Sequence, residues 1–245
     1  MTTVSELRVK IFADGADLAG IRAMAALPYV KGFTTNPTLM KKAGVTDYHQ
    51  FALDVLAAVP DRPISFEVFA DGFDEMEVQA LEIASWGRNV NVKIPVTNTQ
   101  GEFAGRLIER LSKAGVSLNV TAVMTTGQVR AVTEALAPET TSIISVFAGR
   151  IADTGRDPLP IMVESLEIMR SRPKAELIWA SPRELLNIFQ ADAIGCHIIT
   201  VTNDVLGKLG GVGKDLENFS LETVKMFYND ARAAGYTIAV PENAK

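Results

Sequence analysis

One lysine and two carboxylates stand on segments whose remaining residues are mostly apolar. In "NVNVKIPVT", positions 89 to 97, Val90, Val92, Ile94 and Val96 alternate with Asn91 and Lys93. Lysine is seldom buried without a partner, so either this strand lies at an edge and Lys93 reaches water, or the interior is built to hold an amine. The same alternation puts Asp14, Thr34, Asn36, Glu67, Asn119, Thr121, Ser145 and Phe147 on the inward face, with Ile11, Val68, Val120, Ile144 and Val146 opposite. Desolvation favours a neutral, nucleophilic amine. Such an amine attacks a carbonyl to form a Schiff base, and the protonated imine is an electron sink for breaking an adjacent carbon-carbon bond. No metal or organic cofactor is needed. The nearby carboxylates oppose the desolvation, and the balance depends on which carboxyl holds a proton.

Each residue also has a purely structural reading. Lys93 can be one half of a buried ion pair. Asp14 and Asp17 stand where a strand gives way to a helix and can cap it, and Asn36 before Pro37 suits a turn. His197 begins a strand at the end remote from the polar cluster, and His49 sits on a helix, solvated. Two histidines and one cysteine give a zinc site little support. Two carboxylates, an amine, amides and hydroxyls drawn from six segments are nevertheless hard to explain as packing alone, since each needs its own buried partner.

The elements that must position these groups alternate. Strands are expected at 8–14, 32–36, 64–70, 90–96, 117–123, 143–149, 177–181 and 197–202, with helices at 16–26, 46–58, 74–86, 101–114, 126–136, 158–170, 183–190 and a short one after Thr202. Eight strand-helix units without a linker predict one closed (β/α)8 TIM barrel, an α/β fold, over an open doubly wound sheet. The inward polar residues cluster toward the C-terminal ends of their strands, where barrel enzymes place active sites, and this weakens the edge-strand reading of Lys93. The whole chain, 1–245, reads as one domain with a C-terminal helical extension from about 216 to 245. Within that extension a helix is expected at 220–234, with Leu221, Val224, Phe227 and Tyr228 on one face to pack on its own barrel or on a neighbour's. The preceding "GKLGGVGKD" fails as a phosphate loop, because Lys208 replaces the first glycine and Asp215 the magnesium-binding hydroxyl. It reads as a flexible joint.

Composition narrows the partners. A net charge of −5 and the absence of any long Lys or Arg block argue against nucleic acid and membrane surfaces. No apolar run approaches a membrane span, the N-terminus has no signal pattern, and the single Cys196 cannot form an internal disulfide. A cytoplasmic protein is expected.

"FADGAD", "GFTTNPT", "VNVKIPVT", "LNVTAVM", "SVFAGRIAD" and "WASPRE" together resemble, in order, the signatures of the transaldolase family, including its small members and fructose-6-phosphate aldolases. The resemblance runs from Asp14 to about Asp204. It implies a (β/α)8 barrel with a Schiff-base lysine on the fourth strand, and transfer of a dihydroxyacetone unit from a ketose phosphate to an aldehyde without a cofactor or metal. By the same resemblance Lys93 is the nucleophile, Asp14 the acid/base at the donor's C4 hydroxyl, and Glu67 with Thr121 the pair holding a catalytic water. Asn36 and Asn119 bind donor hydroxyls with Thr34 and Ser145 beside them, and Arg150, Ser181 and Arg183 bind the phosphate. Ser181, Pro182 and Arg183 are further read as opening a helix whose free N–H groups suit an anion. Arg183 has the alternative of a surface pair with Glu184 or another neighbour.

Family members that release free dihydroxyacetone carry Gln in place of Glu67 and Tyr in place of Phe147, so both positions here favour transfer. The alternatives are a fructose-6-phosphate-type aldolase, a transaldolase for another anionic sugar such as a sulfonated ketose, and a non-catalytic sugar-phosphate-binding barrel. Glu102, Phe103 and Arg156 depart from the small members and are expected to tune the anion bound. Resemblance also implies a homo-oligomer, a pentamer or decamer.

Overall fold

The computed structural model describes residues 3–240. Eight parallel strands close into a barrel in sequence order: β1 (Lys10–Asp14), β2 (Val30–Thr34), β3 (Ile64–Glu67), β4 (Val90–Pro95), β5 (Leu118–Val123), β6 (Ser142–Val146), β7 (Ala175–Trp179) and β8 (Ile198–Thr202). Around them run α1 (Leu18–Ala25), α2 (Pro37–Lys42), α3 (Tyr48–Ala58), α4 (Phe73–Ser85), α5 (Gly105–Lys113), α6 (Thr126–Ala135), α7 (Ala148–Ala152), α8 (Leu159–Met169), α9 (Leu186–Ala193) and α10 (Asn203–Leu206). The expected TIM barrel is therefore present. Val90, Val92, Ile94 and their counterparts on other strands are buried, as strands covered by helices require.

Inside the barrel the two sides differ. Phe12, Ile143, Ile178 and Ile198, from β1, β6, β7 and β8, form an apolar plug with Ala180, and Phe147 packs on it. Two residues further along the same strands, and so on the same face, stand Asp14, Ser145, Ala180 and Thr200, which line the cavity above. Strands β3 to β5 instead send buried polar groups inward, among them Ser65, Lys93 and Asn119.

Several boundaries differ from the sequence-based expectation, each for a local reason. Asn36 caps a short helix, α2, where the expected strand ran on to 36 and the structural alternative for this residue was a turn: its side chain accepts the Leu39 N–H at 2.9 Å, and Pro37 occupies the first turn. Strand β6 stops at Val146 because α7 starts at Ala148. Helix α5 begins at Gly105 and not at 101, since Thr97 bridges Phe103 and Asn98 Oδ1 accepts the N–H groups of Gln100 and Glu102. Strand β7 ends at Trp179, and α9 starts at Leu186, so Ser181, Pro182 and Arg183 precede the helix rather than open it. There Asn187 Oδ1 accepts the N–H groups of Arg183 and Glu184 at 2.8 and 3.2 Å.

The described residues up to Leu209 form one compact unit and those from Gly210 another. The second is built on α11 (Leu216–Ala233), capped by Asp215, which accepts the Asn218 N–H at 3.0 Å. No residue of α11 is buried, and Leu221, Val224, Phe227 and Tyr228 are all exposed. No helix among the described residues is long and apolar enough to cross a membrane.

Gly32 on β2 pairs with Phe12, and a Cβ there would meet the Phe12 ring at 2.5 Å. Gly32→Ala is accordingly expected to destabilise the barrel by about 1 to 3 kcal/mol through overpacking. Chemical denaturation monitored by Trp fluorescence measures this, and an unchanged midpoint would show that the ring has room to move.

Candidate active site

Lys93 and Glu67 are direct partners across the parallel β3–β4 ladder, and Lys93 in turn pairs with Asn119 on β5. Paired residues on adjacent strands share a face, so the sheet itself brings the three side chains together. Lys93 is 6% exposed, and its Nζ lies 2.8 Å from Glu67 Oε2 and donates to the Thr35 carbonyl at 2.8 Å. The buried ion pair considered as the structural alternative is thus real, and it stands in the wall of a cavity of about 390 Å³. An amine in that wall, held by a carboxylate and a carbonyl, is well placed to meet a carbonyl substrate and to exchange protons with Glu67.

Of the twelve residues singled out by sequence, Asp14, Thr34, Asn36, Glu67, Lys93, Asn119, Thr121, Ser145, Phe147, Arg150 and Ser181 all line this cavity. Arg183 does not. Its guanidinium is held by Asp153, with Nε donating to Oδ1 at 2.9 Å, so the surface pair foreseen for it exists with a different carboxylate. Glu102, Phe103 and Arg156 also lie off the cavity. Glu102 accepts from the Asn98 amide at 2.6 Å, and Phe103 turns into a separate groove bordered by α5 and α6.

Asp14 is held by donors on both oxygens: Thr34 Oγ1 at 2.7 Å and the Asn36 amide at 3.3 Å. Thr34 hydrogen-bonds in turn to the Thr200 hydroxyl, which gives a short chain of hydroxyls ending on the carboxyl. Burial pushes the Asp14 carboxyl above the usual carboxylate range, while the Thr34 bond and the Lys93 charge pull it down. A raised carboxyl holds and returns a proton closer to neutrality than a solvated one. Asn119 is fixed similarly: its amide donates to Ser65 Oγ at 3.0 Å and its carbonyl accepts from Ser145 at 2.7 Å. Its remaining donor capacity is free for a ligand. Asp17 does cap α1, accepting the Gly20 N–H at 2.7 Å, and leaves Asp14 to the cavity.

The mouth is shaped by unusual backbone. Ala122 and Ser181 have φ of 62° and 58°, the positive-φ non-glycine residues among those described, and both line the cavity. Strained backbone of this kind persists where surrounding structure enforces it. At Ala122 the β5–β6 register shifts between Val120 and Val123. At Ser181 the enforcing residue is Gly149: its N–H donates to the Ala180 carbonyl at 3.2 Å, and any Cβ on it would collide with the Ser181 carbonyl. Arg150 follows directly and lays its guanidinium 5.7 Å from the centroid of the Phe147 ring, leaving a cation at the cavity rim.

Sequence reasoning missed Thr200, Thr35 and Gly149. Thr200 was findable by extending the inward alternation to "HIITVT", where Ile198, Thr200 and Thr202 share a face. Thr35 acts through its carbonyl, which no residue type signals. Among the described residues no three His, Cys, Asp or Glu side chains gather as a metal site would need.

A lysine at the C-terminal mouth of a parallel barrel, with two carboxylates beside it, defines a class of lysine-centred barrel enzymes. Comparison with known proteins narrows it. The family model described as Transaldolase/Fructose-6-phosphate aldolase matches residues 11–238. A protein of Dehalococcoides mccartyi named "Probable transaldolase" is 37% identical over 199 residues, 81% of this chain and 88% of its own. One of the same name from Thermoanaerobacter sp. is 34% identical over 231 residues, 94% of this chain and 100% of its own. Among solved structures, 2,3-dimethylmalate lyase, a PEP mutase/isocitrate lyase superfamily member, aligns at a TM-score of 0.55 and 12% identity. That alignment covers 100% of this chain and 92% of the lyase, and shows the shared barrel alone. The chain belongs to the transaldolase/fructose-6-phosphate aldolase family and is a transaldolase-type enzyme.

The Thr34 hydroxyl is a donor to Asp14, so its removal leaves the charged carboxylate less stabilised. Thr34→Val is expected to raise the Asp14 titration midpoint further above the ordinary carboxylate value. Carbon-13 NMR titration of the Asp14 carboxyl reads this directly, and a midpoint that stays or falls would mean the hydroxyl does not stabilise the anion.

Proposed function

We propose that the protein is a transaldolase that transfers a dihydroxyacetone unit from an anionic, phosphorylated ketose to an aldose through a Schiff base on Lys93. The observation that carries this reading is the buried Lys93 amine in a cavity wall, 2.8 Å from Glu67, with Asp14 on the same cavity. Lys93 attacks the ketose carbonyl. Glu67 and Thr121 hold a water that moves the protons as the carbinolamine loses water and becomes the imine. Asp14 then takes the proton of the C4 hydroxyl, the C3–C4 bond breaks, an aldehyde leaves, and the electron pair is stored as the enamine. Addition of the acceptor aldehyde reverses these steps, Asp14 returning a proton to the new hydroxyl.

Asn36, Asn119, Thr34 and Ser145 supply donors and acceptors for the hydroxyls of the donor sugar. Arg150 and Ser181, both lining the cavity, fit the sugar's anionic group. In this reading Arg183 contributes only after leaving Asp153. Phe147 supports transfer over release, since a phenyl ring cannot donate a proton or orient water against the waiting enamine. The exposed apolar side chains of α11 fit a homo-oligomer, and the buried thiol of Cys196 is compatible with a reducing cytoplasm.

Borohydride reduction in the presence of fructose 6-phosphate is expected to leave a mass adduct on Lys93, absent in Lys93→Ala. With donor alone the protein should release one equivalent of aldehyde or less per site, and turn over only when an acceptor aldehyde is added. Rapid formation of free dihydroxyacetone without acceptor would instead assign a fructose-6-phosphate-type aldolase, and no adduct with any anionic ketose would leave a binding barrel.

A further inference from the structure

Strand β3 has four residues, and β2 accompanies it for only part of that length: Phe33 pairs with Ile64 and Thr34 with Ser65. After Thr35, whose N–H donates to the Ser65 carbonyl at 3.3 Å, the β2 chain turns away into α2. Residues of one parity direct their peptide groups to the same neighbouring strand, so the N–H and C=O of Glu67 face the side that β2 has left. A backbone pair without partners there would be costly.

Tyr48, the first residue of α3, occupies that gap. Its Oη accepts the Glu67 N–H at 2.7 Å, and its O–H donates to the Glu67 carbonyl at 3.0 Å. One hydroxyl thus replaces both ladder bonds of the absent strand. Burial pushes the phenol well above its ordinary value, which keeps it neutral and able to donate and accept at once. The ring is seated among aromatics, its centroid 4.6 Å from Phe69, 5.5 Å from Trp86 and 6.1 Å from Phe66. On the other side of Glu67, the Val68 N–H donates to the Lys93 carbonyl at 3.2 Å. Glu67 is therefore held between Tyr48 and the strand that carries Lys93, while Tyr48 itself does not line the cavity.

Resting on the role given above to Glu67, we propose that Tyr48 is a positioning residue for the reaction. By gripping both peptide groups of Glu67, its hydroxyl fixes where the carboxylate stands relative to Lys93 Nζ. The residues assigned to the sugar hydroxyls lie on β2, β5 and β6 and, for Asn36, at the cap of α2, so loss of the grip slows proton transfer and leaves donor binding intact. Small misplacements of a proton-transfer group are costly in rate.

The test is a double-mutant cycle on transfer kinetics. Tyr48→Phe keeps the ring and its packing and removes only the hydroxyl. It is expected to lower kcat by about tenfold while donor KM stays within about twofold. In a Glu67→Ala background the same substitution is expected to change kcat by less than about twofold, because its effect runs through the Glu67 side chain. A loss of equal size in both backgrounds would mark a general structural role and overturn the proposal, as would an unchanged kcat in Tyr48→Phe. If the unaltered protein forms no Lys93 adduct, the transaldolase reading has failed on its own terms, and hydrogen exchange then decides the grip separately. Exchange of the Glu67 amide at least about tenfold faster in Tyr48→Phe, with other β3 amides unchanged, supports it; equal exchange overturns it.

Discussion

The site depends on a lysine amine being kept inside a protein beside a carboxyl group. A buried Lys–Glu pair loses its hydration on both sides, and the mutual attraction offsets that loss only where geometry is held tightly and remaining hydrogen-bonding capacity is met. Here the parallel ladder supplies the geometry, since Glu67 and Lys93 are register partners, and the Thr35 carbonyl supplies a further acceptor. Most of the surrounding architecture can be read as serving this pair. Strand β2 must end early enough to expose the Thr35 carbonyl, and Tyr48 must then satisfy the peptide groups that β2 abandons. An apolar plug on the opposite side of the barrel fills the interior without competing for the amine.

The fold was legible because each strand carries its period plainly. The alternation of Val90, Val92 and Ile94 with Asn91 and Lys93 states which side chains face helices and which face the interior, and all eight strands overlap their expected segments. Boundaries were less legible wherever a side chain ends an element. Asn36 caps α2, and Asn98 folds the segment before α5; both are single-residue decisions that hydrophobic periodicity does not register. Helix α7 has five residues, too few for any period to emerge.

The polar residues that the strands carry into the cavity were legible for the same reason as the strands, because inward parity selects them, whereas Arg150 and Ser181 were suggested by the family resemblance. Thr200 carried that parity and was passed over; the other contributions that escaped have no side-chain signature. The Thr35 carbonyl and the clearance above Gly149 are properties of backbone approach. Arg183 escaped in the other direction: its type and place beside Ser181 suggested an anion ligand, and a carboxylate thirty positions away in the chain, Asp153, holds it instead. Distal pairings of exposed charges carry no local pattern.

Asn36 carries a consequence of a different kind. Its carbonyl oxygen caps α2 and its amide nitrogen donates to Asp14, so one side chain is spent at both ends. Serine or threonine would keep the cap and lose the donor to Asp14. Aspartate would keep the cap and set a second carboxylate against the first. Glutamine would keep the amide and add a methylene that the cap geometry does not accept. No single replacement preserves both functions, so an evolutionary path that alters this corner of the pocket must pass through a helix end that is first secured by other residues.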